Sequence, residues 1–233
     1  MNNNKIKAAL LGAGTVGSGV FVLSGMLADE MVQKTGGSLE IKKVLVRDIS
    51  KERDGIPREV LTDNWKEILE DPEIRIVIEV MGGIEPARTY ITEAIKAGKQ
   101  VVSANKDLLA DYGQELLRLA EENAVDLQFE AAVAGAIPII RPLKQNMTAS
   151  LLTEVMGIVN GTTNYILTKM SEEGMDYKEA LNMAAELGYA EADPTSDVEG
   201  YDAGRKMAIL ASLAYSSEVV FSDVYTEGIT HLT

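Results

Sequence analysis

A chain of 233 residues with 46% hydrophobic and 25% charged residues has ordinary globular composition, enough for two modest domains or one large one. Its formal charge of −14 disfavours nucleic acid or an anionic membrane as partner, so any anionic ligand must be held by local positive charge. The absence of cysteine excludes disulfides, thiolate metal sites and thiol nucleophiles. The start, Met1 to Lys7, lacks the apolar core of a signal peptide. The most apolar stretch, Ala131 to Ile140, is too short and too broken by Gly135 and Pro138 to span a bilayer. A soluble cytoplasmic protein is the expectation.

Ile6 to Leu11 predicts a short strand running straight into G-A-G-T-V-G, Gly12 to Gly17. Glycine suits each of its three places physically: Gly12 for a tight turn, Gly14 for backbone approach to a pyrophosphate, Gly17 for packing of the next helix on the strand. The pattern alone is a weak signal. Here it follows a strand and precedes a helical pattern from Val16 to about Lys34, whose free amino-terminal N–H groups can meet phosphates. A second strand, Ile41 to Val46, ends at Arg47-Asp48. An acid there grips the ribose hydroxyls of NAD, whereas an arginine can pair with the 2′-phosphate of NADP. The interval from Gly17 to Asp48 exceeds the usual twenty or so residues, which weakens Asp48 and leaves Arg47 as the better cofactor contact, with a solvated loop arginine as the alternative.

Arg75 to Met81 reads as a strand broken by Gly82-Gly83, Pro86 opens a helix to about Ala97, and Gln100 to Ser103 is the next strand. Lys106 follows just past its carboxyl end, where open α/β sheets bind ligands. Glu79, inside an apolar strand, is read as a structural acid, buried only if hydrogen-bonded. Val125 to Ala131 is expected as a fifth strand, and A-V-A-G-A-I-P-I-I is expected to lead into a helix. This alternation predicts a Rossmann-type doubly wound parallel sheet, a dinucleotide-binding domain over 1–130. The pattern then changes. A strand over Leu152 to Val159, a turn and helix at N-G-T-T-N-Y-I-L, and a helix from Asp176 to Leu187 predict a second, α+β domain over 131–233.

Glu191 to Lys206 carries Glu191, Asp193, Asp197, Glu199, Asp202, Arg205 and Lys206, and the apolar run Met207 to Leu213 follows. A helix is predicted from about Val198 to Tyr215, on which Asp202 and Lys206 are four apart and share a face. Such a pair is ordinarily a surface salt bridge. The apolar continuation marks a core helix instead, and a lysine crowded by acids in a partly desolvated pocket can donate a proton.

The chain resembles the homoserine dehydrogenase family. The resemblance rests on G-A-G-T-V-G from Gly12, V-M-G-G ending at Gly83, A-N-K ending at Lys106, E-A-A-V-A-G-A-I-P from Glu130, N-G-T-T-N from Asn160, and the Glu191 to Lys206 stretch. It implies reversible reduction of L-aspartate 4-semialdehyde to L-homoserine with NADPH or NADH, on the way to threonine, methionine and isoleucine. It further implies Lys206 as proton donor to the carbonyl oxygen, Asp202 as the carboxylate that positions it, and Lys106 as a second active-site lysine near nicotinamide and substrate. Glu191, Asp197, Gly161 and Thr162 are implied as substrate contacts, Glu191 at the ammonium group. Gly12, Ala13, Gly14, Thr15, Val16, Gly17, Arg47, Gly82 and Lys106 are implied around the cofactor. Backbone carbonyls of Glu130, Val133, Gly135 and Ile137 are implied as a monovalent cation site, usually sodium, at the hinge between domains. The second domain is implied to form a homodimer. Family members continue past Thr233, so a chain truncated at its carboxyl end is expected. His231, the only histidine, is given no role. Aspartate-semialdehyde dehydrogenase, a rival on the same metabolite, needs a cysteine thioester and is eliminated. A nucleotide-holding sensor or inactive fragment of the same fold is the alternative from another class.

Overall fold

Ala8, Ala9, Leu10 and Leu11 are all completely buried, the pattern of a strand covered on both faces of a parallel sheet. In the computed structural model, which describes residues 4–233, this strand is β1 (Asn4–Leu11). It is joined by β2 (Gly37–Leu45), β3 (Leu61–Thr62), β4 (Ile74–Glu79), β5 (Gln100–Ser103) and β6 (Leu127–Gln128). All pair in parallel, in the order β3-β2-β1-β4-β5-β6. The chain steps outward from β1 through β2 to β3 and then returns to the other side of β1 at β4. The carboxyl ends of β1 and β4 therefore adjoin at the reversal of strand order, where such sheets bind ligands. The doubly wound prediction holds.

Five helices belong to this unit: α1 (Thr15–Met26), α2 (Ala28–Thr35), α3 (Lys66–Leu69), α4 (Ala87–Lys96) and α5 (Lys106–Glu122). One core cluster joins Ala8, Leu10, Ile41, Val44 and Ile78 to Val20 and Phe21 of α1. α4 and α5 pack on one another and on the sheet through Ile91, Ile95, Leu108 and Leu116, all 0% exposed. The spacing of Ile91 and Ile95, and of Leu108 and Leu116, places each pair on one helical stripe. Each such side chain contributes about 2 kcal/mol by leaving water.

The structure corrects several expected elements. The helix expected over Val16 to Lys34 is two helices, bent by 72° at Leu27, whose φ of −100° and ψ of 13° leave the helical region. The bend lets α2 pack against β2, and no proline signals it. No single helix among the described residues is long and apolar enough to cross a membrane. The short β3 was not anticipated, and β2 starts at Gly37 rather than Ile41. The strand expected over Val125 to Ala131 shrinks to β6, because β5 offers it only Val101 and Val102 as partners; a 3₁₀ turn, Glu130–Ala132, follows.

The chain divides into two compact units, Met1–Ala132 and Val133–Thr233. In the second, Pro142–Asn146 forms one wide π turn rather than the expected helix; Pro142 has no N–H, and Met147 N–H bonds to the Pro142 carbonyl at 3.1 Å. The strand expected over Leu152 to Val159 does not form, and among the described residues nothing pairs with it as a strand. Leu151, Met156 and Ile158 stand 92%, 84% and 78% exposed. Four helices follow: α6 (Gly161–Glu173), α7 (Tyr177–Glu186), α8 (Thr195–Val198) and α9 (Tyr201–Ala214). Their core gathers Ile166, Ala180, Ala184, Ala190 and Val198. The helix expected from Val198 is interrupted at Gly200, which adopts φ +79°, with the Glu227 carbonyl oxygen 3.0 Å from where a Cβ would stand.

The amino end of β4, remote from the ligand end, is held by lysines. Buried Lys99 donates to the carbonyls of Asp71 and Ile74, both at 2.8 Å, and burial lowers its pKa. Lys42 bonds both Asp71 and Glu73, and its hydrogen bonds hold both carboxyls below their ordinary values. Depressed carboxylates contribute stability that is present above their unfolded-state pKa and lost as pH falls through the folded-state value. Lys42→Met is therefore expected to lower Tm by a few degrees at neutral pH. The gap to the unmodified chain should close in acid as the carboxylates protonate, as read by thermal melts across a pH series.

Candidate active site

Each unit presents a candidate site of its own. In the first, the chain leaves β1 at Gly12, whose N–H bonds to the Leu45 carbonyl at 3.0 Å. Gly12 takes φ +100°, and a Cβ at Gly17 would lie 2.2 Å from the Gly12 carbonyl oxygen. No side chain fits there, so α1 approaches the strand end directly. At Gly14 nothing lies within 4 Å of a built Cβ, which leaves room for a ligand above the amino end of α1. The first-turn N–H groups of Thr15, Val16 and Gly17 have no carbonyl one turn earlier within the helix and suit an anion.

This loop forms one wall of a cleft of about 550 Å³, closed by Val80 and Met81 after β4 and flanked by Arg47 and Arg53. The residues fit a nicotinamide dinucleotide: a glycine turn that a Cβ would obstruct, helix N–H groups for the pyrophosphate, and two guanidiniums beyond the end of β2. Asp48 is not among the residues that line the cleft. Its Oδ1 accepts from Ser50 N–H at 2.8 Å and from Ser50 Oγ at 2.6 Å, bonds that hold the carboxyl below its ordinary pKa. Arg53 escaped the sequence reading, since it lies six residues past Arg47 in the strongly polar S-K-E-R; the Asp48–Ser50 turn was the signal that the loop doubles back. Gly82 and Gly83 follow Met81 with φ of +73° and +72°. Lys106 is the first residue of α5, directly after its N-cap Asn105.

The second cluster centres on Asp202, 5% exposed. Lys206 Nζ donates to Asp202 Oδ2 at 2.6 Å and to the Val159 carbonyl at 2.7 Å, so the i, i+4 pair read from the sequence is formed and is not a surface bridge. An ammonium has three N–H donors, and the third remains for an oxygen of a bound molecule. Asn160 is the member that sequence reasoning missed as a site residue. Its Nδ2 donates to Asp197 Oδ1 at 2.7 Å and Asp202 Oδ2 at 2.8 Å, while its Oδ1 accepts from Thr163 N–H at 2.8 Å and caps α6. One amide thus ties two acids to a helix start. The N-G-T-T-N turn carried the signal, because asparagine before a helical pattern is a capping residue.

The remaining residues are more dispersed. Gly161 opens α6. Thr162 Oγ1 donates to the Tyr189 carbonyl at 2.7 Å, which ties α6 to the segment leading to Glu191. Glu191 is exposed on the connection between α7 and α8 and is not among the side chains bonded to Asn160. Around the expected cation site, Ala134 and Ala136 hold positive φ of 51° and 67°. Left-handed alanines are strained by roughly 1–2 kcal/mol each and persist only where the surroundings enforce them. Carbonyl oxygens are hard donors that suit sodium. Among the described residues no group of three or more His, Cys, Asp or Glu could hold a metal.

A family model described as homoserine dehydrogenase matches residues 138–233, and one described as homoserine dehydrogenase, NAD binding domain, matches residues 12–130. The chain is 51% identical over 229 residues to a homoserine dehydrogenase of Bacillus subtilis, covering 98% of this chain and 53% of that protein. Among solved structures, a homoserine dehydrogenase from Thiobacillus denitrificans superposes with a TM-score of 0.92 at 43% identity, covering 99% of this chain and 53% of that one. A hyperthermophilic archaeal homoserine dehydrogenase in complex with NADPH superposes with a TM-score of 0.82 at 29% identity, covering 98% of this chain and 75% of that one. The chain spans about half the length of the curated relatives it matches.

The Asn160 hub makes its own prediction. Asn160→Ala leaves Asp197 and Asp202 without a shared donor and uncaps α6, at a cost of about 2–4 kcal/mol, read in denaturant melts. Asn160→Asp sets a third carboxylate against two others. Its deficit should be largest at neutral pH and shrink as the pH is lowered toward the carboxylate range.

Proposed function

Since this chain belongs to the homoserine dehydrogenase family, we propose that it carries the cofactor-binding and proton-donating parts of the NAD(P)H-dependent, reversible reduction of L-aspartate 4-semialdehyde to L-homoserine, in threonine, methionine and isoleucine biosynthesis. The single observation that carries this reading is the buried Asp202 paired with Lys206, whose ammonium also bonds the Val159 carbonyl. When bound, the cofactor supplies hydride to the aldehyde carbon. Lys206 then stabilises the negative charge growing on the carbonyl oxygen and delivers a proton to it, and in the reverse direction takes the proton from the hydroxyl. Asp202 fixes the ammonium and balances its charge, and Asn160 holds Asp202 and Asp197 in place. Glu191 carries the substrate ammonium, with Asp197, Gly161 and Thr162 as further substrate contacts and Lys106 as a second lysine near nicotinamide and substrate.

Gly12, Ala13, Gly14, Thr15, Val16, Gly17 and Gly82 carry the cofactor backbone. NADP is favoured over NAD because Arg47 and Arg53 flank the cleft while Asp48, the ribose-binding candidate, is committed to Ser50. A sodium ion on the carbonyls of Glu130, Val133, Gly135 and Ile137 is part of the same reading, supported by the left-handed alanines between them. So are cytoplasmic placement and a homodimer; the exposed Leu151, Met156 and Ile158 support the dimer by offering apolar surface.

Two outcomes test this. Lys206→Ala is expected to cut turnover of aspartate semialdehyde by about 10²- to 10⁴-fold, followed by nicotinamide absorbance, while NADPH still binds as read by its fluorescence. Binding without turnover in the unmodified chain would favour the non-catalytic nucleotide-holding alternative for this length of polypeptide. Arg47→Ala and Arg53→Ala should each weaken NADPH by about tenfold, the loss of one charged hydrogen bond, and leave NADH within about twofold.

A further inference from the structure

We infer that Glu79 is a positioning residue for the cofactor cleft: its buried carboxylate locks the turn after β4 to the first turn of α5, and so sets the cleft wall and Lys106 together. The inference rests on the nicotinamide reading of that cleft. Glu79 ends β4 and is 0% exposed. Its Oε1 accepts from Met81 N–H at 2.8 Å and from Asn105 Nδ2 at 3.4 Å, and its Oε2 accepts from Ser103 Oγ at 2.7 Å. Asn105 extends the link: its Nδ2 also donates to the Gly83 carbonyl at 2.6 Å, and its Oδ1 accepts from Leu108 N–H at 3.2 Å to cap α5. Ser103 Oγ in turn accepts from Asn105 N–H at 3.1 Å.

One carboxylate therefore joins the ends of β4 and β5 and the start of α5. A strand that needed only packing would carry valine or isoleucine there, as at Val77 and Ile78, because burying a carboxylate is costly unless its bonds are used. The bonds are spent on backbone that needs restraint. Gly82 and Gly83 take consecutive left-handed conformations, which glycine adopts freely and therefore does not hold by itself. The segment before them walls the cleft, and the Val80 carbonyl oxygen stands 3.0 Å from where a Cβ on Gly12 would be. A shift of Val80 to Gly83 thus moves the glycine loop's neighbour. Through Asn105 the same carboxylate sets where Lys106 begins. Glu79 acts through these residues and not on the cofactor directly.

The test uses Glu79→Leu and Glu79→Gln, with Ile95→Val as a control that loosens the core elsewhere. Leucine fills the space but accepts nothing, leaving Met81 N–H, one hydrogen of Asn105 Nδ2 and the Ser103 hydroxyl hydrogen without their acceptor; glutamine keeps one oxygen for Met81 and Asn105 and can donate to Ser103. Expected are an NADPH Kd raised about tenfold or more by leucine, within about threefold for glutamine and unchanged for Ile95→Val, in line with loss of one or more buried hydrogen bonds. Amide hydrogen exchange, which needs no cofactor, should quicken at Met81 and at Leu108 together in the leucine variant. Should that variant not fold, Asn105→Ser, which keeps a cap oxygen for α5 but removes the donor to Glu79 and Gly83, is expected to raise Kd and quicken Met81 to Gly83 in the same way. A leucine variant, or Asn105→Ser in its place, that binds NADPH within twofold of the unmodified chain overturns the inference. So does faster exchange at Met81 with Leu108 unaffected. Coupled exchange in a chain that fails to bind NADPH even unmodified supports the lock and overturns the cofactor reading alone.

Discussion

A Cβ on Gly17 would stand 2.2 Å from the carbonyl oxygen of Gly12, a separation that a non-bonded carbon and oxygen do not tolerate. The absence of that one carbon lets α1 begin where β1 ends, and the remainder of the nucleotide-binding unit is arranged around the resulting gap. The sheet reverses its order beside this loop, so β4 delivers Val80 and Met81 to the same place. β2 delivers Arg47 from the other side, and Arg53 in the following loop lines the same cleft.

The second unit is governed by a different constraint, the burial of charge. Asp202 is almost wholly removed from water, and a carboxylate so placed must be paired and hydrogen-bonded. Lys206 supplies the charge and Asn160 the neutral donor, each from a defined position on a helix: one turn along α9, and the N-cap of α6. Glu79 solves the same problem with neutral partners alone among those bonded to it. Each acid is bonded to an asparagine that also caps a helix, Asn160 at the entry of α6 and Asn105 at the entry of α5.

How far the sequence could be read depended on how local the cause was. Gly12 to Gly17 were legible because their reasons lie within one strand–turn–helix unit, and β5 was placed to the residue. The bend at Leu27 was not, because the apolar pattern runs through it unbroken and only packing of α2 on β2 requires it. The expected strand over Leu152 to Val159 had the right residue types, but a strand exists only with a neighbour, and none of the described residues provides one. Gly200 broke a helix that periodicity carried through, because a carbonyl from Glu227, far along the chain, occupies the space a side chain would need.

By itself the sequence determined the class of the first unit, the glycine turn, the Asp202–Lys206 pair and the family to which the chain belongs. These follow from periodicity, from spacing along a helix and from motifs whose residues are near one another in the chain. Only the tertiary structure decided that Asp48 is engaged by Ser50 while Arg53 flanks the cleft, that Asn160 joins Asp197 to Asp202, and that Glu79 bridges two strand ends and a helix start. Those facts depend on hydrogen bonds whose direction a sequence does not contain. In the Asn160 and Glu79 cases the partners are also brought together from more than twenty residues apart.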